Sequence, residues 1–378
     1  MSIPFNKAPY VGSEHYYVNQ AIESHNLSGL GTFSKLCEEW FERILSCPRA
    51  LLTSSCTHAL ETAALLIEIG PGDEVIMPSF TFVSTANSFL LRGASVIFVD
   101  IEPNTMNLDI DQVAQSITSK TKAVVAVHYG GGCCDMERLV ALCVEHEIYL
   151  IEDAAQAMMS KYKGKLLGTF GDIATFSFHE TKNYTSGGEG GLLILNKDSF
   201  ILKAEIIREK GTNRSLFYRG VVDKYSWVSL GSSYLMSELQ AAYLWAQLQN
   251  AEEIRAARTR ACEIYREALT PLEELGKIEF IQARQGVVSN GHLFGIKVAN
   301  LDTRTRLLSW LHRQNILAVF HYVPLHSSYF GLRYCTMSGE DIYTTKESNR
   351  LIRLPLWYGI TQEDQMAVVE VLNSFFSS

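Results

Sequence analysis

Ser177-Phe178-His179-Glu180-Thr181-Lys182-Asn183, followed by Gly187-Gly188-Glu189-Gly190-Gly191, is the stretch that decides the interpretation of this sequence. Its lysine comes after an apolar run, Ile173 to Phe178, that is typical of a buried strand. The glycines that follow let the backbone approach a ligand closely. A lysine in a glycine-rich loop is usually a solvated surface charge, so the motif alone favours neither a functional nor a surface role for Lys182.

A carboxylate at the end of another predicted strand gives this lysine a partner. The apolar run Ile148 to Ile151 leads into Glu152-Asp153-Ala154-Ala155-Gln156. A lysine and an aspartate at the ends of neighbouring strands can hold opposite sides of one flat cofactor. Pyridoxal phosphate requires this pair: a lysine for the Schiff base and a carboxylate opposite the pyridinium nitrogen. Gln156 could bind the ring hydroxyl. The alternatives are a helix N-cap for Asp153 and an ordinary helical position for Gln156.

A phosphate site is predicted at the start of a helix. Thr53-Ser54-Ser55-Cys56-Thr57 follows a short apolar run and precedes a helical pattern that begins near His58. Free N–H groups and the dipole at a helix start bind phosphate readily. Ser55 and Thr57 could add hydroxyl donors, and Ser177 could be a further ligand. Plain N-capping is the alternative for this segment.

Phe82, in Pro78-Ser79-Phe80-Thr81-Phe82-Val83, could stack on a cofactor ring, although an aromatic at a strand end is more often part of the core. Other site motifs fail. The pair His179-Glu180 lacks the second histidine of H-E-x-x-H, and Gly130-Gly131-Gly132 is not a dinucleotide fingerprint. No P-loop, nucleophile elbow or metal-ligand spacing occurs, so we expect no metal.

Composition excludes several classes of protein. The chain has 378 residues, 47% hydrophobic and 20% charged, which is enough apolar material for a sizeable core. A net charge of −8 and the lack of a basic block argue against nucleic-acid binding. No apolar run is long enough to span a membrane and no signal core begins the chain. Eight irregularly spaced cysteines indicate free thiols and a cytoplasmic location.

The order of the apolar runs predicts an α/β fold with a mostly parallel seven-stranded sheet. Helical patterns separate several of these runs, among them His58–Ile69, Asp111–Ser116 and Met136–Glu145. The predicted strands are Ala50–Leu52, Val75–Met77, Val96–Val99, Ala123–Val127, Ile148–Ile151, Ile173–Phe178 and Leu192–Leu195.

We predict a large domain over residues 1–245 and, over residues 246–378, a bridging helix with a smaller α+β domain. Leu239 to Ile264 is predicted as one long helix that joins them, and the first 35 residues as an extended, loop-rich segment. In the smaller domain we predict strands at His292–Val298 and Leu317–Tyr322, with helices at Thr303–Gln314 and Gln362–Phe375.

The order of these residues resembles that of the DegT/DnrJ/EryC1/StrS family of nucleotide-sugar aminotransferases, which are fold-type I pyridoxal-phosphate enzymes. The resemblance covers nearly the whole chain, including Gly72-Asp73-Glu74-Val75-Ile76-Met77-Pro78 and Gly188-Glu189-Gly190-Gly191. It implies that Lys182 binds the cofactor covalently and moves the proton. It also implies that Asp153 contacts the ring nitrogen, Gln156 the ring hydroxyl and Phe82 the ring face. The phosphate would be held by Cys56, Thr57 and Ser177.

The resemblance also implies partners. The segments Glu209–Ser215, Gly231–Ser237 and His321–His326 resemble members that aminate a dTDP-4-keto-6-deoxy sugar with L-glutamate, giving a 4-amino sugar of galacto configuration and 2-oxoglutarate. A homodimer with a shared active site is implied, in which a loop matching Gly231–Met236 reaches the neighbour's cofactor. Leu235 replaces the Asn or Arg of many relatives, so Ser233 or Tyr234 would make that contact.

Arg214, Arg219 and His326 resemble contacts to the sugar nucleotide. Three alternatives stay open: a different dTDP- or UDP-linked keto sugar, a related sugar dehydratase, and a non-catalytic relative. The dehydratases have histidine at the position of Lys182, and a non-catalytic relative is not expected to keep Asp153, Gln156 and Lys182 together.

Overall fold

The structure, a computed structural model, describes residues 2–377, whose strands and helices we number in chain order. The strands are β1 (Arg49–Thr53), β2 (Glu74–Pro78), β3 (Ser95–Val99), β4 (Thr121–Val127), β5 (Tyr149–Asp153), β6 (Lys161–Tyr162), β7 (Lys165–Leu166), β8 (Ile173–Ser177), β9 (Gly191–Leu195), β10 (Glu279–Phe280), β11 (Val287–Val288), β12 (Phe294–Lys297), β13 (Cys335–Met337) and β14 (Leu351–Leu354).

The helices lie on both faces of the large sheet and in the C-terminal third of the chain. They are α1 (Glu14–Glu23), α2 (Thr32–Leu45), α3 (Cys56–Leu66), α4 (Val83–Leu90), α5 (Ile110–Ser116), α6 (Met136–Glu145), α7 (Ile201–Arg208), α8 (Arg214–Tyr218), α9 (Glu238–Gln249), α10 (Ala251–Glu274), α11 (Leu301–Arg313), α12 (Gly331–Tyr334), α13 (Thr344–Arg350) and α14 (Gln362–Ser377).

The large sheet contains all seven predicted strands, in the order β1-β9-β8-β5-β4-β2-β3, and an eighth strand, β13, beside β3. Only β9 runs antiparallel to its neighbours, so the sheet is mostly parallel as predicted. Its apolar runs are buried on both faces. In β4, Val124 and Ala126 join the core on one face, while Ala123 and Val125 join the core on the other.

A three-stranded antiparallel sheet, β10-β12-β14, and helices α10, α11 and α14 form a separate core in the C-terminal third. Strand pairing helps to join this part to the rest of the chain: β13 pairs with β3, β11 pairs with β6, and Ile3 bridges Ile316. The proposed division at residue 245 falls inside α9, and we retain it as a proposal.

Three local predictions differ from the structure. The first 35 residues are not wholly extended, because α1 forms there and α2 begins at Thr32. The long helix is broken at Asn250, whose Nδ2 donates to the carbonyl of Ala246 at 2.9 Å and so competes with backbone bonding. Residues 317–322 form no regular strand and pair only through a bridge between Val319 and Arg353.

Two further properties concern the chain as a whole. All eight cysteines are free thiols, as predicted. Between residues 2 and 377, no helix has both the length and the apolar composition needed to cross a membrane.

Candidate active site

The sheet brings the ends of β5 and β8 together. These strands are parallel neighbours, with Asp153 opposite Thr175, so Asp153 and Ser177 end at the same edge. Lys182 lies in the loop between β8 and β9. That loop closes as a hairpin, because the N–H of Phe178 donates to Gly190 at 2.8 Å and that of Glu180 to Gly188 at 2.9 Å. The order of the strands in the sheet therefore places Asp153 beside the loop that carries Lys182, as the sequence suggested.

Asp153 is a buried carboxylate held in a fixed orientation. Its Oδ2 accepts from Thr85 Oγ1 at 2.7 Å, and its Oδ1 accepts from the N–H of Ala155 at 3.2 Å. Thr85 itself contacts Thr81 at 2.8 Å through their hydroxyls. The residues after Asp153 form turns, with no helix from 154 to 160, so the helix-cap alternative is wrong.

Lys182 is half-buried and has an amine without a hydrogen-bond partner in the described part of the chain. Its side chain makes no hydrogen bond or ion pair with any of residues 2–377. Burial lowers the pKa of Lys182 below its ordinary value, and this outweighs the opposing effects of Cys56 and Asp153. Desolvation disfavours the ammonium form, so the amine is a better nucleophile than a surface lysine.

The start of α3 combines a helix cap with an anion cradle. Ser55 is the N-cap, and its side chain accepts from the N–H of His58 at 3.1 Å, so the capping alternative is correct for this residue. Cys56 and Thr57 lie in the first turn, where N–H groups have no partner within the helix. A Cβ on Gly191 would lie 2.4 Å from the nitrogen of Cys56, so only glycine permits this approach of β9 to the cradle.

The side chains at the cradle stay neutral. Burial raises the pKa of the Cys56 thiol, so that it remains protonated. The hydroxyl of Thr57 donates to Ser84 Oγ at 2.8 Å, and Ser177 Oγ accepts from the N–H of His179 at 3.4 Å. Neutral donors around free backbone N–H groups suit a phosphate dianion.

Gln156 and Phe82 are both neighbours of Tyr322. Gln156 Oε1 accepts from the N–H of Gly130 at 2.8 Å, and its Nε2 donates to the hydroxyl of Tyr322 at 3.1 Å. Phe82 is 58% exposed, and its ring centre lies 6.4 Å from that of Tyr322. Phe82 is therefore not a core residue, and its exposed face is available for a flat ring.

Sequence reasoning missed a group of polar residues from the C-terminal third. Tyr129 OH contacts His321 Nδ1 at 3.2 Å, and the guanidinium of Arg353 also contacts His321. Burial lowers the pKa of His321 to about 2 and raises that of Tyr322 to about 12, so both side chains are neutral. The segment His321–His326 was singled out in the sequence, but its partners were not.

The predicted sugar-nucleotide residues pair with side chains other than Lys182. Arg219 pairs with Glu205 on α7, and Arg214 Nη2 donates to the hydroxyl of Tyr218 at 2.7 Å. His326 Nδ1 contacts Ser79 Oγ at 2.7 Å, and its Nε2 lies 3.0 Å from Asp341.

Ser233 is exposed and bridges Glu209, whereas its neighbour Tyr234 is buried and donates to Glu61 at 2.8 Å. Within residues 2–377, neither Ser233 and Tyr234 nor the predicted sugar-nucleotide residues make a hydrogen bond or ion pair with Lys182 or Asp153. In the same part of the chain, no three His, Cys, Asp or Glu side chains form a group that could hold a metal ion.

The donor set fits pyridoxal phosphate. A free lysine amine, an oriented buried carboxylate, an exposed aromatic face and a helix-start cradle surround one edge of the sheet. These are the chemical groups that a cofactor with an aldehyde, a pyridinium nitrogen, a flat ring and a phosphate requires.

Comparison with known proteins gives the same class of enzyme. The chain is 32% identical to the GDP-perosamine synthase of Vibrio cholerae, over 99% of both chains. Its structure matches that of the aminotransferase TlmJ from Streptoalloteichus hindustanus with a TM-score of 0.91, at 26% identity over 99% of both chains. It matches S. venezuelae DesV, solved in complex with a ketimine intermediate, with a TM-score of 0.89, at 25% identity over 100% of this chain and 99% of DesV.

The model of the DegT/DnrJ/EryC1/StrS aminotransferase family matches residues 11–373, nearly the whole chain. Several of the proteins that resemble the chain are sugar aminotransferases, and one solved structure, of a putative sugar aminotransferase from Streptococcus pneumoniae that is 25% identical to the chain, is in the pyridoxal-phosphate form. The chain therefore belongs to the DegT/DnrJ/EryC1/StrS family and is a pyridoxal-phosphate-dependent sugar aminotransferase of the fold-type I class.

Proposed function

We propose that Lys182 and Asp153 are the catalytic pair of this aminotransferase. When bound, pyridoxal phosphate supplies the electron sink for the carbanion at the amino-bearing carbon. Lys182, whose pKa is lowered, binds the cofactor covalently and moves the proton at that carbon through Nζ. Asp153, oriented by Thr85, keeps the ring nitrogen protonated. The observation that carries the proposal is the free amine of Lys182 beside this oriented, buried carboxylate.

The remaining predicted contacts hold and orient the cofactor. Gln156, fixed by Gly130 and Tyr322, would bind the ring hydroxyl, and the exposed face of Phe82 would stack on the ring. The cradle at the start of α3 would bind the phosphate through its first-turn N–H groups. The hydroxyl-bearing and thiol residues placed there are Ser55, Cys56, Thr57 and Ser177.

For the substrates, we infer transfer of the amino group of L-glutamate to the C4 keto group of dTDP-4-keto-6-deoxyglucose. The products would be 2-oxoglutarate and dTDP-4-amino-4,6-dideoxygalactose, a precursor in cell-surface glycan synthesis such as that of enterobacterial common antigen, with the enzyme in the cytoplasm. Support comes from the resemblance of Glu209–Ser215, Gly231–Ser237 and His321–His326 to members with this activity. The lysine at position 182 argues against the related dehydratases, which have histidine there.

A second candidate substrate class rests on the relatives. The V. cholerae protein, 32% identical over 99% of both chains, is named for a GDP-linked product. The guanine and thymine bases differ in size and in their hydrogen-bonding edges. This relative therefore makes a GDP-linked sugar the second candidate substrate.

The experiment that separates these candidates is a coupled assay with glutamate and a panel of nucleotide-linked sugars. It includes dTDP-, GDP- and UDP-linked 4-keto-6-deoxy sugars and a dTDP-linked 3-keto sugar, with products identified by NMR. A 4-amino product of galacto configuration, formed fastest from the dTDP substrate, supports the proposal. A 3-amino product, or turnover only with GDP- or UDP-linked sugars, overturns the proposed substrate and leaves the aminotransferase class unchanged.

We expect the chain to be a homodimer with a shared active site. Ser233 is exposed, and the segment over 217–230, which begins at the end of α8, presents exposed apolar side chains, among them Phe217, Tyr225 and Trp227. Contiguous exposed apolar surface of this kind is typical of an interface. Light scattering at assay concentration should give twice the mass of one chain. A fully active monomer would contradict a shared site.

A clamp for the pyrophosphate is expected from Arg214, whose side chain is 39% exposed on α8. A guanidinium binds phosphate oxygens with two parallel hydrogen bonds. Arg214→Ala should therefore raise KM for the sugar nucleotide by about 10-fold or more, while the glutamate half-reaction stays near wild type. Arg260→Ala, which removes an exposed arginine paired with Glu263 on α10, is the matched control. Equal KM values in both variants would remove Arg214 from the site.

Arg214 lies 3.9 Å from the buried carboxylate of Glu209, so thermal unfolding of its variant must be measured beside KM. Arg219 needs the same control. It pairs with the buried carboxylate of Glu205, which Arg49 also approaches at 3.5 Å. Arg219→Ala would leave that buried carboxylate with one partner fewer, so a loss of stability would accompany any loss of binding. Thermal unfolding of this variant must therefore be measured beside KM.

A further inference from the structure

A buried polar network joins the loop before β12 to the residues around Lys182. Asn290 Nδ2 donates to the carbonyls of Gln156 at 3.0 Å and Met158 at 2.8 Å. Asn183, the residue after Lys182, donates through its Nδ2 to the carbonyl of Asn290 at 3.0 Å. A loop more than one hundred residues away in the chain is thus fixed against the cofactor lysine.

The same loop is held from behind by a fully buried arginine. Arg258 on α10 is 1% exposed and donates to the carbonyls of Gly291 at 3.0 Å and His292 at 2.8 Å. A Cβ on Gly291 would lie 2.8 Å from the backbone carbon of Arg258, so glycine is needed for this contact. The position of His292 is therefore set from two sides.

The hydrogen bonds determine which nitrogen of His292 carries the proton. Because Asn183 uses its Nδ2 as a donor to Asn290, its Oδ1 is the atom that faces His292 Nδ1 at 2.9 Å. An amide oxygen only accepts, so Nδ1 must carry the hydrogen. Nε2 makes no hydrogen bond with any of residues 2–377. In a neutral ring this nitrogen is an acceptor with a free lone pair.

The surroundings keep that ring neutral. Burial lowers the pKa of His292 well below its ordinary value, and the positive charges of Lys182, Arg353 and Arg258 act in the same direction, as does His321. His292 and Lys182 also line one small cavity, together with Gln156, Ser177 and Asn290. Asp153 acts on Lys182 through its charge but does not line this cavity, so His292 offers a second acceptor to the lysine from another side.

We propose that His292 is a positioning residue for Lys182: when substrate has released the lysine from the cofactor, rotation of the Lys182 side chain within the cavity brings its ammonium to the unprotonated Nε2, which accepts a hydrogen bond from it. This bond orients Nζ and stabilises the protonated form that returns a proton to substrate. The inference rests on the proposed role of Lys182 as the cofactor lysine. Asn183 and Arg258 act through His292, by fixing its tautomer and its place.

Two substitutions separate the acceptor from the rest of the ring. In His292→Gln, the amide oxygen can reach the position of Nε2 and keep an acceptor toward Lys182. In His292→Asn, the shorter amide can occupy the position of Nδ1 and keep the bond to Asn183, but it offers nothing at Nε2. Both replacements are neutral and polar, so they form a matched pair.

The first readout does not use catalysis. The pKa of Lys182 is measured in the cofactor-free, full-length protein from the pH dependence of its acylation rate, followed by peptide mapping. A hydrogen bond to a charged group is strong, so its loss in His292→Asn should lower this pKa by about 1–2 units relative to wild type. His292→Gln should stay closer to wild type.

The second readout is the single-turnover rate of the holoenzyme with glutamate. It should fall about 10- to 100-fold in His292→Asn and less in His292→Gln, with KM for glutamate little changed. Equal behaviour of the two variants would show that the imidazole has only a packing role, and would overturn the proposal.

A measurement on the wild-type protein decides the case where a variant does not fold. In ¹⁵N-histidine NMR, His292 should show a protonated Nδ1 and an unprotonated Nε2 at neutral pH, with the signal assigned by its loss in either variant that folds or by segmental labelling. A proton on Nε2 would overturn the proposal. If the cofactor did not label Lys182, the proposed function would be overturned instead. The pKa and NMR measurements would still report on the contact between His292 and Lys182.

Discussion

Lys182→Ala should abolish the visible absorbance of the lysine-bound cofactor and lower turnover by at least ~10⁴-fold, the upper end of what a positioned proton-transfer group contributes. The reason is that Lys182 provides both the covalent attachment and the proton carrier, and the amine that the structure leaves without a partner has no substitute among its neighbours. Absorbance spectra and single-turnover rates of the purified variant test this directly.

Two controls make the result specific. Lys182→Arg keeps a cation beside Asp153 but cannot form the covalent link, so it should be as inactive as Lys182→Ala while retaining more of the native stability. Lys203→Ala removes a lysine that pairs with Glu68 at the surface, and it should behave as wild type. Borohydride reduction and peptide mapping should place the label on Lys182, and a label on another lysine would contradict the assignment.

The strands of the large sheet were accessible from the sequence because buried parallel strands are short, unbroken apolar runs, whereas their order in the sheet was not predicted. β5 and β8 are of this kind, and their ends fix Asp153 and the loop of Lys182. The cradle at α3 was predictable for a similar reason, since a hydroxyl-rich segment between a strand and a helix is a local signal. The candidate site residues that depend on one strand end each could therefore be named from the sequence, and their roles stay predictions.

The turn after Asp153 was not accessible in this way. Ala154-Ala155-Gln156-Ala157 has good helix formers, and a helix was the natural expectation for it. The structure instead has turns there, because the carbonyls of Gln156 and Met158 accept from the side chain of Asn290. A contact between residues 134 positions apart overrides the local preference, and no local pattern contains that information.

The polar residues that surround Lys182 from the C-terminal third were missed for the same reason. Tyr322 reaches Gln156 across 166 positions, and His292 reaches Asn183 across 109. Their roles depend on how the smaller sheet is placed against the large one. The helix α1 was also missed, because its start is stabilised by Glu14, which accepts from the N–H groups of Val11 and Gly12 and contacts Gln247 on α9.

Asp153→Asn should retain part of the cofactor and slow both half-reactions by about 10- to 1000-fold. An opposite charge within a few ångströms shifts a pKa by about 1–3 units, and each unit corresponds to about tenfold in the fraction of protonated ring nitrogen. The amide of asparagine keeps the size of the side chain and removes that charge. Single-turnover rates with glutamate and with the keto sugar measure the two halves separately.

The neighbouring carboxylate provides the control. Glu152 lies on the opposite face of β5, where it contacts His128 at 2.8 Å and accepts from the N–H groups of Gly168 and Gly171. Glu152→Gln replaces one acceptor oxygen by a donor beside these N–H groups, so it should lower the free energy of unfolding by about 1–3 kcal/mol. Its half-reaction rates should remain near wild type, because Glu152 does not face the cofactor edge.

Thr85→Val distinguishes the charge of Asp153 from its orientation. This change removes the hydroxyl that donates to Oδ2 at 2.7 Å and keeps both the carboxylate and the volume of the side chain. We expect a loss of about tenfold in both half-reactions, the cost of one hydrogen bond to a charged group, and a smaller loss than in Asp153→Asn. If Asp153→Asn and Thr85→Val both turned over at the wild-type rate, Asp153 would have only the structural role that its bond to Ala155 provides, and the ring nitrogen would need another partner.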